Sequence, residues 1–325
     1  GKKVIVRVDL NVPMKNGAIT ESSRIIKILP TIKLLIEKKA KIIIFSHIGR
    51  PKGKIVNGMS LKPISNKLSD LLNKEVIFNE EEINKKTLAE IDKIKDGSVM
   101  MMENIRFYEG EEKNEDSFSK KISSLGDIYV NDAFSCSHRA HSSIEGITKY
   151  IPSYCGLQFV EEINALKRIT SQIERPVTCI IGGSKISTKI EVIKNLIPKF
   201  DNIVFVGGMA NNILEHKGNK IGKSIKEENC NNIINQIFEI SKNYSCVITC
   251  PEDVSVGKNM NDKSQIKELN EISEDDLILD IGPKTINKIK NIIENSNTVL
   301  WNGPAGYFEN PYFANGSYEI AKTII

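Results

Sequence analysis

The chain lacks a Cys-x-x-Cys pair, a Walker A loop and a Gly-x-Gly-x-x-Gly turn. The last two absences remove the commonest phosphate-loop and dinucleotide fingerprints. The six cysteines, at 136, 155, 179, 230, 246 and 250, are scattered. Several fall in strand-like apolar runs, which suits buried free thiols in a reducing cytoplasm and leaves no ground for a zinc site. Strong charge is also missing: 45 Lys and Arg against 41 Asp and Glu give +4, too little for wholesale nucleic-acid binding. No apolar run approaches a membrane span, and the first thirty residues carry no signal-peptide pattern. No internal repeat and no low-complexity segment is found beyond scattered Lys, Asn and Ile. What remains is an ordinary globular composition, 40% hydrophobic and 26% charged, over 325 residues, enough for two cores.

Residues 177–197 organise the rest. Val177 to Ile181 is a short, uncharged, mostly β-branched run and reads as a buried strand. Gly182 and Gly183 follow, then a helical pattern with Ile186, Ile190, Ile193 and Ile197 as its apolar stripe. Lys185 and Lys189 are four apart, so a helix already formed there would place both on one face beside its N-terminus. Free N–H groups, the helix dipole and two ammonium groups would then meet at one spot suited to phosphate. The competing reading is a tight βα turn with two solvated lysines.

The first half alternates strands, at residues 4–8, 41–45, 75–78, 98–102 and 128–130, with helical patterns at 31–39, 63–72 and 116–125. That order predicts a mainly parallel sheet covered on both faces. The strands lead into Asp9 and Asn11, into His47 and Arg50, into Arg106, and into His138, Arg139 and His141, with Arg24 at the start of a helical stretch. In open α/β sheets the carboxyl ends of the strands line the ligand crevice. Arginine's planar fork suits carboxylate and phosphate, so this edge reads as the seat of a small, multiply anionic ligand.

Residues 157–174 form one helical pattern, with Leu157, Val160, Ile163, Leu166, Ile169 and Ile173 recurring every three or four positions. Gly156 precedes it and Pro176 closes it, the profile of a connector and a hinge. The second half repeats the βα alternation, but its strands end in small residues: Gly207-Gly208, Gly282-Pro283 and Trp301-Asn302-Gly303-Pro304. Such ends leave room for a flat base and ribose, with Glu309 able to accept ribose hydroxyls. The lone Trp301 suits core as well as stacking. The expected fold is α/β, two Rossmann-like parallel-sheet domains joined by a hinge helix, with domains at 1–155 and 156–325.

A cationic edge on one domain and a glycine-rich, lysine-bearing edge on the other suit phosphoryl transfer from a nucleotide to an anionic small molecule. That chemistry needs in-line positioning and positive charge more than covalent help. Arg24 and Lys185 are the candidates for that charge. No Ser-His-acid arrangement stands out, and an ionised carboxylate acceptor needs no general base.

The motifs Val8-Asp9-Leu10-Asn11-Val12-Pro13, Ser46-His47-Ile48-Gly49-Arg50-Pro51, Glu103-Asn104-Ile105-Arg106-Phe107, Ser137-His138-Arg139-Ala140-His141-Ser142, Gly182-Gly183-Ser184-Lys185 and Trp301-Asn302-Gly303-Pro304 together resemble the phosphoglycerate kinase family, in order along the whole chain. The resemblance implies a phosphotransferase with a carboxyl acceptor. It would pass a phosphoryl group reversibly between 1,3-bisphosphoglycerate and ADP, giving 3-phosphoglycerate and ATP in glycolysis, with Mg2+ carried on the nucleotide. It implies that Asp9, Asn11, Arg24, His47, Arg50, Arg106, His138 and Arg139 hold the three-carbon substrate. Gly183, Lys185, Lys189, Gly207, Gly282, Asn302, Pro304 and Glu309 would hold the nucleotide. Arg24 and Lys185 would neutralise the transferring group in a cytoplasmic, hinge-closing monomer without nucleic-acid or membrane partners. The family's Gly-Gly-Gly-Asp-Thr loop, with its metal-binding aspartate, is not found in the sequence, so a fragment of weak or no turnover is the expectation. The rival readings are a non-catalytic nucleotide- or phosphate-binding protein on the same scaffold and a Rossmann-type oxidoreductase. The absent dinucleotide fingerprint counts against the second.

Overall fold

In the computed structural model, residues 1–15, 17–171 and 173–325 are described, the side chain of Ile169 excepted. The chain divides into two compact units, Gly1–Leu166 and Lys167–Ile325.

The first unit is built on six parallel strands in the order β5-β6-β4-β1-β7-β8. They are β1 (Lys3–Val8), β4 (Lys41–Phe45), β5 (Val76–Asn79), β6 (Val99–Met102), β7 (Ile128–Asp132) and β8 (Ser153–Cys155). A two-residue-strand hairpin, β2 (Met14–Lys15) and β3 (Ala18–Ile19), follows β1. The helices are α1 (Ser23–Lys27), α2 (Leu29–Glu37), α3 (Lys62–Leu72), α4 (Lys85–Lys93), α5 (Glu109–Glu112) and α6 (Asp116–Ser123). Alternation along each strand sorts the side chains into two cores. Val4, Val6, Val8, Ile42 and Ile44 enter one face, while Ile5, Ile43, Phe45, Met100 and Met102 enter the other. Each fully buried Ile or Val contributes ~1.5–3 kcal/mol. Sparse apolar pattern hides α4 in the sequence. It starts on a capping box instead: Asn84 accepts from Thr87 N–H, and Thr87 Oγ1 accepts from Asn84 N–H.

The connector is α7 (Leu157–Thr170), and the division between units falls inside it. Its first turn belongs to the first unit because Leu157 N–H donates to Thr31 Oγ1 (3.0 Å) and Phe159 N–H to Asp132 Oδ1 (2.9 Å). The expected apolar stripe is largely uncovered: Leu157, Val160 and Leu166 are 46%, 42% and 45% exposed. Ile173 lies beyond the helix and packs on the core of the second unit. The Ile169 side chain lies outside the described residues.

The second unit carries a parallel sheet in the order β11-β10-β9-β15. Its strands are β9 (Val177–Ile181), β10 (Asn202–Phe205), β11 (Val247–Thr249) and β15 (Thr298–Asn302). Leu277–Ile281 is a strand, β14, but it belongs to a separate antiparallel sheet with β12 (Asp253–Gly257) and β13 (Gln265–Glu268), in the order β13-β12-β14. The helices are α8 (Ile190–Leu196), α9 (Gly207–His216), α10 (Asn231–Asn243), α11 (Pro283–Glu294) and α12 (Asn315–Ile324). The fold is thus α/β with two parallel sheets, as expected, plus this antiparallel one.

One local expectation is corrected. The stretch after Gly183 is not an α-helix. A single 3-10 turn at Ser187–Lys189 precedes α8, which begins only at Ile190. Glu227 holds that stretch open by accepting both the N–H of Ser187 (2.9 Å) and its hydroxyl. Lys185 and Lys189 therefore do not share a helical face.

Candidate functional site

The first unit has a cavity of about 300 Å³ at the carboxyl ends of β1 and β4 and the loops after β6 and β7, and it is lined by Arg24, Arg50, Arg106 and Arg139. Asp9, Asn11, His47, Gly49, Ser135 and Cys136 complete the wall. Of the substrate residues expected from the sequence, all but His138 line it. His138 is exposed, with Arg139 Nε 3.3 Å from its Nε2.

Parallel strands explain the convergence, since each ends at the same edge and releases its next residues there. Asn11 Oδ1 then accepts from Gly49 N–H (3.0 Å), tying the first loop to the second. Arg106 Nη1 donates to Gly49 O (2.8 Å), tying in the third. Arg106 is 2% exposed, and among the described residues neither its Nε nor its Nη2 has a hydrogen-bond partner; Nε has only the carboxylate of Glu112 at 3.4 Å. Buried guanidinium donors without hydrogen-bond partners are costly, and an anion in the cavity would satisfy them.

Asp9 is the one acid in the wall. Burial would raise its pKa, but bonds from Ser135 and the Asn11 N–H, with His47 and Arg24 beside it, hold it below the ordinary carboxylate value. Burial, then Arg7 and Arg106, lower His47 from 6.5 to about 2, so its imidazole is neutral. Donor atoms of Asp9, His47 and Cys136 lie within 4.8 Å of one another, a spacing a divalent cation can bridge. The surrounding guanidiniums set the opposite electrostatic preference, for an anion.

Sequence reasoning missed Arg7, which is fully buried in β1 with its Nη2 3.1 Å from His47 Nδ1. The available signal was one charge inside the apolar run Val4-Ile5-Val6-Arg7-Val8 of an inner strand.

The second unit has a cavity of about 240 Å³ of different make, lined by Gly183, Ser184, Gly207, Gly208, Pro304, Ala305, Gly306 and Glu309, with Ile225, Met260 and Leu279 among its apolar residues. The loops after β9, β10 and β15 are in near-contact. A Cβ at Gly182 would lie 2.1 Å from Pro304 O, and one at Gly207, where φ is +63°, would lie 3.3 Å from Gly183 N and Pro304 O. The N-terminus of α9 opens on this cavity through Gly207 and Gly208.

Gly183, Gly207, Pro304 and Glu309 thus line the cavity, whereas Lys185, Lys189, Gly282 and Asn302 do not. Lys189 Nζ donates to Gly182 O (2.8 Å) and Asn302 Oδ1 (2.5 Å), and burial lowers its pKa. Lys185 is exposed. Gly282 precedes α11, and a Cβ there would meet the Asp253 carboxylate at 2.3 Å. Asp280 at the cavity wall was also missed. It is buried, it accepts from Gly316 N–H (2.7 Å) and Ile281 N–H (2.9 Å), and burial raises its pKa to about 6.

The family model described as "Phosphoglycerate kinase" matches residues 1–325. A phosphoglycerate kinase of Dictyoglomus turgidum is 45% identical over 326 residues, covering 100% of this chain and 82% of the relative. One from the Wolbachia of Brugia malayi is 43% identical over 325 residues, covering 100% and 81%. Among solved structures, phosphoglycerate kinase from Coxiella burnetii matches with a TM-score of 0.84 at 36% identity, covering 99% of this chain and 82% of that one. The enzyme from Pyrococcus horikoshii OT3 matches with a TM-score of 0.85 at 29% identity, covering 99% and 83%. Neither the oxidoreductase nor the non-catalytic reading is favoured by these matches. The chain belongs to the phosphoglycerate kinase family.

Proposed function

We propose that the chain catalyses reversible phosphoryl transfer between 1,3-bisphosphoglycerate and ADP, yielding 3-phosphoglycerate and ATP. The observation that carries the reading is the four-arginine cavity with unpartnered Arg106 donors, in a chain of this family. In this reading the three-carbon acid binds there, held by Asp9, Asn11, Arg24, His47, Arg50, Arg106 and Arg139, with His138 at the rim. The nucleotide binds the glycine-lined cavity, its base and ribose against Gly207, Pro304 and Glu309, and Mg2+ enters as part of the nucleotide complex. Gly183, Lys185, Lys189 and Asn302 face its phosphates, and Gly282 acts from behind by fixing the start of α11.

In the forward step the acyl C–O–P linkage breaks at the P–O bond while a new P–O bond forms to the terminal phosphate oxygen of ADP, leaving a carboxylate. No proton moves, so no general base is required. Arg24 and Lys185 spread the charge of the passing group. Arg24 pairs with Asp9, and Lys185 stands exposed on its loop. Direct transfer needs donor and acceptor oxygens in line within bonding reach, so the reading includes closure about α7, in a monomer. A cytoplasmic location accords with six free cysteines and with the lack, among the described residues, of a helix long and apolar enough to cross a membrane.

A coupled assay of 3-phosphoglycerate with Mg-ATP, paired with calorimetry of each ligand alone, tests the reading. Specific binding of both ligands with ADP release upholds it. A folded chain that binds neither ligand refutes it.

A further inference from the structure

Beneath the arginine cavity lies a chain of buried polar groups that the transfer step does not use. Arg7 is 0% exposed in β1. A guanidinium in such a place is strongly destabilising unless its donors find acceptors. Arg7 Nε donates to Ser143 Oγ at 2.9 Å, Nη1 donates to Val8 O, and Nη2 lies 3.1 Å from His47 Nδ1. Ser143 passes the contact on: its hydroxyl donates to Glu111 Oε1 at 2.6 Å and its N–H to Oε2 at 2.9 Å. Glu111 is also 0% exposed; burial pushes its pKa up, and Arg7 and Ser143 oppose that push. Tyr129, donating to Ser143 O at 2.7 Å, pins the segment in place.

Proton counting fixes the direction of the bonds that Arg7 makes. A guanidinium donates and never accepts, and a hydroxyl has one proton. Ser143 spends that proton on Glu111, so its oxygen accepts from Arg7. Arg7 then donates to His47 Nδ1, which must carry the lone pair. The single proton of the neutral imidazole is left on Nε2. An imidazolium, with a proton on both nitrogens, would set Nδ1–H against Arg7.

We propose that Glu111, Ser143 and Arg7 are positioning residues that lock His47 in its Nε2–H tautomer, so that it offers a neutral N–H donor to an oxygen of the bound acid. The donor half rests on the assignment of this cavity to 3-phosphoglycerate; the lock does not. The charged and titratable groups around the ring are Arg7 and Asp9 from β1 and its following loop, Arg106 after β6, and Cys136 and Arg139 after β7. Asp9 alone among the charges favours protonation, and burial with three guanidiniums outweighs it.

The test is two-bond 15N–1H correlation of the imidazole nitrogens in the 15N-labelled chain. With four histidines, the His47 signals are assigned by their loss in His47→Gln. The expected result without ligand is an Nε2–H tautomer that does not titrate between pH 5 and 8, followed by a shift of the Nε2 proton when 3-phosphoglycerate is added. Ser143→Ala removes the link between Arg7 and Glu111, and Glu111→Gln sets an amide NH2 against one of the two Ser143 donors that the carboxylate now accepts. In either, a mixed tautomer or a titration in that pH range is expected, with the Kd for 3-phosphoglycerate raised about tenfold and that for Mg-ADP unchanged. Ser143→Ala carries the test should Glu111→Gln not fold. An Nδ1–H tautomer in the unaltered chain, or an unchanged one in the folded variants, overturns the lock alone. The expected tautomer with no response to 3-phosphoglycerate overturns the donor role and the cavity assignment with it.

Discussion

The cavity of the first unit is walled by four arginines and one carboxylate, while that of the second contains glycine, apolar side chains and, among its described lining residues, no arginine. Both sit at the carboxyl ends of parallel strands, so topology supplies the place and the loops supply the chemistry. In the first, long side chains reach in from separate loops and are held by cross-loop bonds such as Arg106 to Gly49 and Asn11 to Gly49. In the second, the loops themselves approach until only glycine fits, as at Gly182 against Pro304. One cavity is suited to recognition through charge, the other to recognition through shape and exposed backbone.

The largest expected effect strikes the charged cavity alone. Arg106→Met removes two buried donor nitrogens that have no hydrogen-bond partner among the described residues, and the Kd for 3-phosphoglycerate should rise ~10³-fold while that for Mg-ADP holds. Titration calorimetry reads both. An equal loss of both ligands would erase the distinction between the sites.

Gly182→Ala should do the reverse. Its Cβ would press on the Pro304 carbonyl, and such overpacking costs ~1–3 kcal/mol or more. Urea unfolding followed by Trp301, the lone tryptophan and a residue of β15, reports that loss in the second unit. Hydrogen exchange of the β1 amides should stay unchanged.

The units should also respond oppositely to pH. His47 is lowered to about 2 from 6.5, so as pH falls the unfolded chain takes up the proton first. The first unit therefore loses stability below pH 6.5, with a slope of up to ~1.4 kcal/mol per pH unit. Asp280 is raised from 3.8 to about 6, so there the native state takes up the proton first. Its contribution is complete below 3.8 and is lost as pH rises through 6, a total on the order of 2–3 kcal/mol. His47→Gln should flatten the first dependence, read by exchange of β1 amides, and Asp280→Asn the second, read by Trp301. Parallel pH profiles in the two units would contradict this assignment. The smallest effect is expected at Lys189, already engaged with Gly182 and Asn302. Lys189→Met should weaken Mg-ADP binding a few-fold, roughly the worth of one hydrogen bond.

Most of the first cavity was legible because each contributing loop follows a short apolar strand, and parallel pairing brings such loops to one edge whatever the details between them. Arg7 was not legible, since a charge in a strand run gives no hint of the His47 and Ser143 that accept its bonds from far along the chain. The second unit was harder to read. The antiparallel β12–β14 sheet depends on pairing that local pattern does not encode, and β13 (Gln265–Glu268) has no buried residue to mark it. The helix expected after Gly183 does form, as α8, but it starts only at Ile190, because Glu227 grips Ser187. Asp280 gave no sign because its partners, the N–H groups of Ile281 and Gly316, are backbone groups that any sequence has.

The most direct test of the central claim is a crossed calorimetry experiment: 3-phosphoglycerate and Mg-ADP, each titrated into the unaltered chain, Arg106→Lys and Gly207→Ala. The account predicts that Arg106→Lys loses affinity for the acid alone and Gly207→Ala for the nucleotide alone. Unchanged acid binding in Arg106→Lys, or loss of both ligands in either folded variant, would contradict it.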